Sequence, residues 1–175
     1  MQIINTVNVK GHVKIESVKP NGSREILYDD HNVLTNGFAE NISQLLAGQV
    51  GTFVGATLRE VQTGTARWAS FMKVGSGSTA PIPSDTDLET PFVSGSSDLT
   101  LFLSSVSTGS PSLGSAVFSA ILPSGVTGDD YNNTAPSEVG LFSENGVLLA
   151  RVVYTPINKT PLFQLQYTWT ITFRS

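Results

Sequence analysis

The sequence predicts an all-β domain: a single two-sheet antiparallel β-sandwich over residues 1–175, jelly-roll-like or immunoglobulin-like, with one short helix at about residues 36–48. Three observations carry this. Phe163, Leu165, Tyr167, Trp169, Ile171 and Phe173 alternate with Gln164, Gln166, Thr168, Thr170 and Thr172, and a period of two puts the large apolar groups on one face of a strand. Glu144-Asn145-Gly146 lies between two apolar runs, and Asn-Gly predicts a type I′ hairpin because both turn residues must accept φ > 0. Charged residues are 14% of the chain, well below the usual quarter, and Gly, Ser, Thr, Pro and Asn fill the difference, which suits strands joined by long turns.

The elements follow in order. Val7, Val9, Val13 and Ile15 alternate with Asn8, Lys10, His12, Lys14 and Glu16 in a first strand, which Gly11 interrupts as at a bulge. Pro20-Asn21-Gly22-Ser23 is a turn, and Glu25-Ile26-Leu27-Tyr28 returns as the second strand of a hairpin. Phe38, Ile42, Leu45 and Leu46 form a helical stripe, capped at the start by Thr35 or Asn36 and ended by Gly48. Residues 49–66 give no clear pattern. A buried strand runs from Arg67 through Trp68, Phe71, Met72 and Val74 into a loop over Gly75–Asp85 that two prolines keep from being helical. Leu99, Leu101 and Leu103 mark a strand, Ser107–Ser115 a loop, Ala116–Leu122 a strand and Pro123–Ala135 a polar loop. The stretch Pro136–Phe173 supplies three more strands, for eight or nine in all.

Composition narrows the function classes. No run of about 18 apolar residues exists to make a membrane-spanning helix, and the N-terminus lacks the charged and apolar regions of a cleaved leader. With no cysteine there are no disulfides, thiolate nucleophiles or Cys-based zinc sites, which fits folding in a reducing cytoplasm. The net charge of −4 is uneven: Val74–Ala150 contains no Lys or Arg but holds Asp85, Asp87, Glu89, Asp98, Asp129, Asp130, Glu138 and Glu144. A nucleic-acid surface needs clustered positive charge, so no nucleic-acid partner is expected.

Motifs that suggest chemistry fail on inspection. Gly75-Ser76-Gly77-Ser78-Thr79-Ala80 approaches a dinucleotide fingerprint, but Pro81 and Pro83 forbid the helix whose N-terminus would hold the pyrophosphate. Asp29-Asp30-His31 reads as a strand-to-helix loop whose carboxylates satisfy backbone N–H groups. Asp85-Thr86-Asp87-Leu88-Glu89 lacks the glycine and spacing of a calcium loop. Only His12 and His31 are available as imidazole bases, and His12 lies on a polar strand face. No nucleophile–base set is positioned, so no enzyme activity, cofactor or metal is expected. The alternating aromatics Phe163, Tyr167, Trp169 and Phe173 are core rather than a stacking platform, and Trp68 is expected to be buried as well.

Three separated stretches carry a likeness: HNVLTNGFAENISQLLAG, FMKVGSGSTAPIPSDTDLETPF and SEVGLFSENGVLLARVVYTPINKTPLFQLQYTWTITF. In that order they resemble small structural proteins of tailed-bacteriophage virions, from tail, baseplate and fibre-attachment regions. The resemblance spans most of Asp30–Phe173. It implies a non-enzymatic virion component, made in the host cytoplasm, that assembles with other virion proteins and with itself as a trimer or ring. Glu138 and Arg151 stand where opposite charges can pair across the hairpin. Lys159 stands where it can bond loop carbonyls or a neighbouring subunit. Together with Asp85, Asp87, Asp129 and Asp130 these form the expected interface set, with loops 75–91, 104–115 and 123–136 as docking surfaces. A capsid decoration or head-fibre protein is the alternative, and a receptor glycan-binding module is an alternative of another class.

Overall fold

The computed structural model describes residues 8–46, 69–108, 114–125 and 134–174. Within them the chain forms β1 (Asn8–Val18), β2 (Arg24–Leu34), helix α1 (Asn36–Leu46), β3 (Ala69–Gly75), β4 (Val93–Ser94), β5 (Ser97–Asp98), β6 (Thr100–Thr108), β7 (Ser115–Leu122), β8 (Glu138–Ser143), β9 (Leu148–Val153) and β10 (Gln164–Arg174). Eight strands close an antiparallel barrel in the order β1-β10-β7-β6-β3-β8-β9-β2, and β4-β5 is a separate small ribbon.

The expected two-sheet sandwich is therefore corrected to a closed barrel. Two long strands make the corners. β2 pairs with β1 through Arg24–Asn32 and then with β9 through Val33 and Leu34. β6 pairs with β3 through Thr100–Phe102 and then with β7 from Leu103 onward, with the ladder shifting around Ser104. A strand that bends at a bulge and changes partners joins what would otherwise be two sheet edges. Eight strands leave a bore just wide enough for side chains to fill. Here Val13, Ile15, Met72, Val74, Leu101, Ala120, Leu122, Val139, Leu141, Leu165, Tyr167 and Trp169 fill it.

β10 has the alternation the sequence predicts, with Leu165, Tyr167, Trp169 and Ile171 buried in the core. Inside, the Tyr167 and Tyr154 hydroxyls lie 3.3 Å apart. Burial pushes both phenols well above their ordinary range, so the pair stays neutral.

Four local expectations change. Gly11 sits in regular register with Asn32 and Ile171, and the bulge falls at Leu27, where the ladder shifts between Ile15 and Glu16. A Cβ on residue 11 would lie 2.1 Å from Asn32 Oδ1, so close approach rather than a bulge explains the glycine. Asp29-Asp30-His31 belongs to the middle of β2, not to a loop, because β1 pairs along it. The strand part of the expected 104–115 loop runs through Thr108. The β8–β9 turn is a three-residue loop: Gly146 N donates to Ser143 O, Ser143 N donates to Val147 O, and Gly146 takes φ 82°. Gly48, Trp68 and Val7 lie outside the described residues.

α1 closes one end of the barrel, with Phe38 and Ile42 packed on the core and Phe38 stacked 6.4 Å from Phe173. Of the two expected caps, Thr35 acts: Phe38 N donates to its Oγ1, and that hydroxyl donates to Leu148 O. Thr35→Ala removes both bonds of a buried hydroxyl and is expected to lower stability by about 1–2 kcal/mol, measured by urea unfolding.

Candidate functional site

β3 ends at Gly75, and the chain then turns over the outer face of β3, β8 and β9 before reaching β4. Along β8, Val139 and Leu141 enter the barrel core while Phe142 faces outward. There it stacks on Phe71, 5.4 Å between centroids, and packs with Leu88 and Leu148 in a second small core under the loop. The outer face of the barrel wall thus carries a small apolar cluster beneath residues 76–91.

Glu138, also on that outer side, is fully buried. Its Oε1 accepts from Gly77 N (3.0 Å) and Thr90 N (2.7 Å), and its Oε2 accepts from Glu89 N (3.1 Å). Arg151, 3% exposed, donates to the same Oε2 through Nε (3.1 Å) and Nη2 (2.9 Å) and reaches Asp85 Oδ2 through Nη1 (2.8 Å). Asp85 Oδ2 also accepts from Ile82 N, and Glu89 Oε2 accepts from Ser78 N and Thr79 N. Three carboxylates share one guanidinium, and the remaining negative charge is met by loop amides. Such charge-assisted bonds are the strong class, and they run from both sides of the loop into one buried point. Burial opposes the Arg151 charge, while Asp85 and Glu138 outweigh it and hold the guanidinium above its usual range. Gly77 is required here: a Cβ would lie 2.6 Å from the Glu138 carboxylate.

Lys73 makes a second node, donating to Asp98 (2.8 Å) and Asp87 (3.3 Å) with its ammonium 4.7 Å over the Phe142 ring. Burial works against its charge, and the two carboxylates outweigh that and raise it.

Of the residues singled out from sequence, Glu138, Arg151 and Asp85 come together in one network. Asp87 joins the Lys73 node, half-exposed. Lys159 stands apart: fully buried, it donates from Nζ to Thr160 O (2.7 Å) and lies 5.4 Å over Phe163. Asp129 and Asp130 lie outside the described residues. Sequence reasoning missed Lys73, Asp98 and the amides of Gly77, Glu89 and Thr90. The available signal was a carboxylate opening an otherwise apolar strand, since a buried charge requires partners. In the Asp85–Glu89 run the oxygens are taken by amides, Arg151 and Lys73, and among the described residues no three side chains converge as a metal site.

The three stretches that carry the family likeness meet at this place. Asn36 N donates to Pro83 O, tying the helix start to the loop, and the loop is tied to Glu138 and Arg151 of the hairpin. No family model, no curated protein and no solved structure matches the chain. The arrangement itself holds a loop in one shape: Thr79–Ser84 stand out from the wall, with Ile82 53% exposed.

Glu89 reports the clamp's sensitivity to acid. Hydrogen bonds from the Thr79 amide and hydroxyl and the Ser78 amide hold its carboxyl below the ordinary glutamate value of 4.5. A depressed carboxyl contributes stability that is present above 4.5 and is lost as pH falls through the lower folded value. The Ser78 and Thr79 amide resonances are therefore expected to hold constant from neutral pH to below 4.5 and to move only under more acid conditions. Movement centred above that value would contradict the assigned bonds.

Proposed function

We propose that this chain is a structural component of a tailed-phage virion, from the tail, baseplate or fibre-attachment region, working through protein–protein assembly. The observation that supports it most is the convergence of all three family-like stretches on one clamped loop. Motif residues far apart in sequence earn a common pattern if they build one surface. A loop already fixed by Glu138, Arg151 and Asp85 loses little further freedom when a partner docks on it, so more of the contact energy appears as affinity. In this reading the exposed segment Thr79–Ser84 meets another virion protein or a second copy in a trimer or ring.

Immunogold labelling of intact particles with antibody to the purified chain tests the proposal. Label confined to the tail or its tip is the expected result. Label spread over the capsid assigns the chain to decoration instead, and particles without label overturn a virion role. Sedimentation of the purified chain adds the assembly state, where a strict monomer argues against self-assembly.

A further inference from the structure

On the opposite wall, the outer faces of β10, β1 and β2 form an open groove of about 430 Å³, lined by Lys10, His12, His31, Thr170 and Thr172. Register puts them side by side: Lys10 faces Thr172, and His12 faces Thr170 on one flank and His31 on the other. The two imidazoles meet edge to face at 5.6 Å. We propose that this groove binds the phosphate group of a small phosphomonoester. This inference is independent of the virion reading.

The lining is Lys10, two imidazoles and two threonine hydroxyls, with His12 Nε2 held 2.9 Å from Asp29 Oδ1. Lys10 has no carboxylate in ion-pair range among the described residues, while the neighbouring Lys14 is paired with Glu16 at 3.0 Å. His31 Nδ1 lies 3.3 Å from Gly11 O, and Nε2 has no hydrogen-bond partner among the described residues. Two threonine hydroxyls complete a set from three strands. A lysine ammonium beside hydroxyl donors suits an anion with several oxygens, such as a phosphate. A metal ion is disfavoured by the lysine and by the lack of a third ligand among the described residues. The volume falls in the small-molecule class and leaves room beyond the phosphate itself. The charged groups nearest the imidazoles are Lys10 from β1 and Asp29 and Asp30 from β2, with Asp29 Oδ1 2.9 Å from His12 Nε2 and Asp30 Oδ1 accepting from the His31 backbone N at 2.7 Å; β10 contributes the hydroxyls of Thr170 and Thr172.

The test is a heteronuclear NMR titration of the whole chain with glucose 6-phosphate, inorganic phosphate and glucose at neutral pH. Glucose 6-phosphate is expected to give saturable shifts at Lys10, His12, His31, Thr170 and Thr172. Its affinity is expected to fall about tenfold in Lys10→Gln, which removes one adjacent positive charge. Lys10 is exposed, and an unaltered melting curve for Lys10→Gln checks the fold. Tighter binding of glucose 6-phosphate than of inorganic phosphate assigns the groove to the ester, and equal binding assigns it to the bare ion. No saturable shift from either phosphate, or equal affinity in Lys10→Gln, overturns the proposal.

Discussion

Arg151→Met is expected to lower the unfolding free energy by about 3–5 kcal/mol, the range seen when one partner of a buried ion pair is removed. Methionine keeps much of the arginine volume, so the loss reports charge rather than a void. Glu138 is left fully buried with three amide donors and no counter-charge, and Asp85 loses its 2.8 Å partner. Amide exchange should accelerate at Gly77, Glu89 and Thr90, whose N–H groups end on Glu138. The companion variant Glu138→Gln in the same background is expected to recover part of the loss, because a neutral amide oxygen still accepts from the loop without needing a cation. Chemical unfolding followed by tryptophan fluorescence measures both. A loss below about 1 kcal/mol for the single variant, the worth of an exposed pair, would mean that the second core under the loop holds it without the ion pair.

Trp169→Ala is expected to cost about 3–5 kcal/mol, through a large void in the middle of the bore. Trp169 is fully buried, and its neighbours on the flanking strands are Val13 and Phe118. Its Nε1 donates to Asn32 Oδ1 at 3.0 Å, across to the strand beyond β1. Among the described residues Asn32 Nδ2 has no partner, so this indole bond is the polar contact that holds the side chain. Trp169→Phe isolates that bond, with an expected cost of about 1–3 kcal/mol. Thermal melts of the two variants separate packing from hydrogen bonding, and equal losses would show that the void contributes little.

The strands of this fold are legible in the chain, while their closure is not. Alternation in Phe163–Phe173 states that one face is buried, and the inner face of a sandwich and the bore of a barrel read the same. What distinguishes them is that β2 and β6 each change partners part-way, a matter of long-range pairing. Asp29-Asp30-His31 reads as loop because polar residues stand at consecutive positions, and β1 nevertheless orders it as strand. The site was half legible. A glutamate opening the apolar run EVGLF and an arginine on the return strand invite pairing. The donors that complete the network are backbone amides, which every residue carries, so no side-chain pattern marks them.

The position of β10 has a consequence for the order in which the molecule is made. It lies between β1 and β7, pairing Asn8 with Arg174 at one extreme of the ladder. The β1–β2 hairpin precedes the other described strands in the chain, yet apart from β10 its strand-to-strand link among the described residues is the two-residue contact with β9. Until Gln164–Arg174 is in place, that contact alone ties the hairpin to the other described strands, and one edge of β7 stands open. Closure of the barrel therefore waits for the last described strand, and its rate is set by a contact between the earliest and latest described strands, the kind of distant closure that folds slowly. In that interval the nascent chain exposes unpaired edges, so low temperature or slowed synthesis during expression should raise the soluble yield.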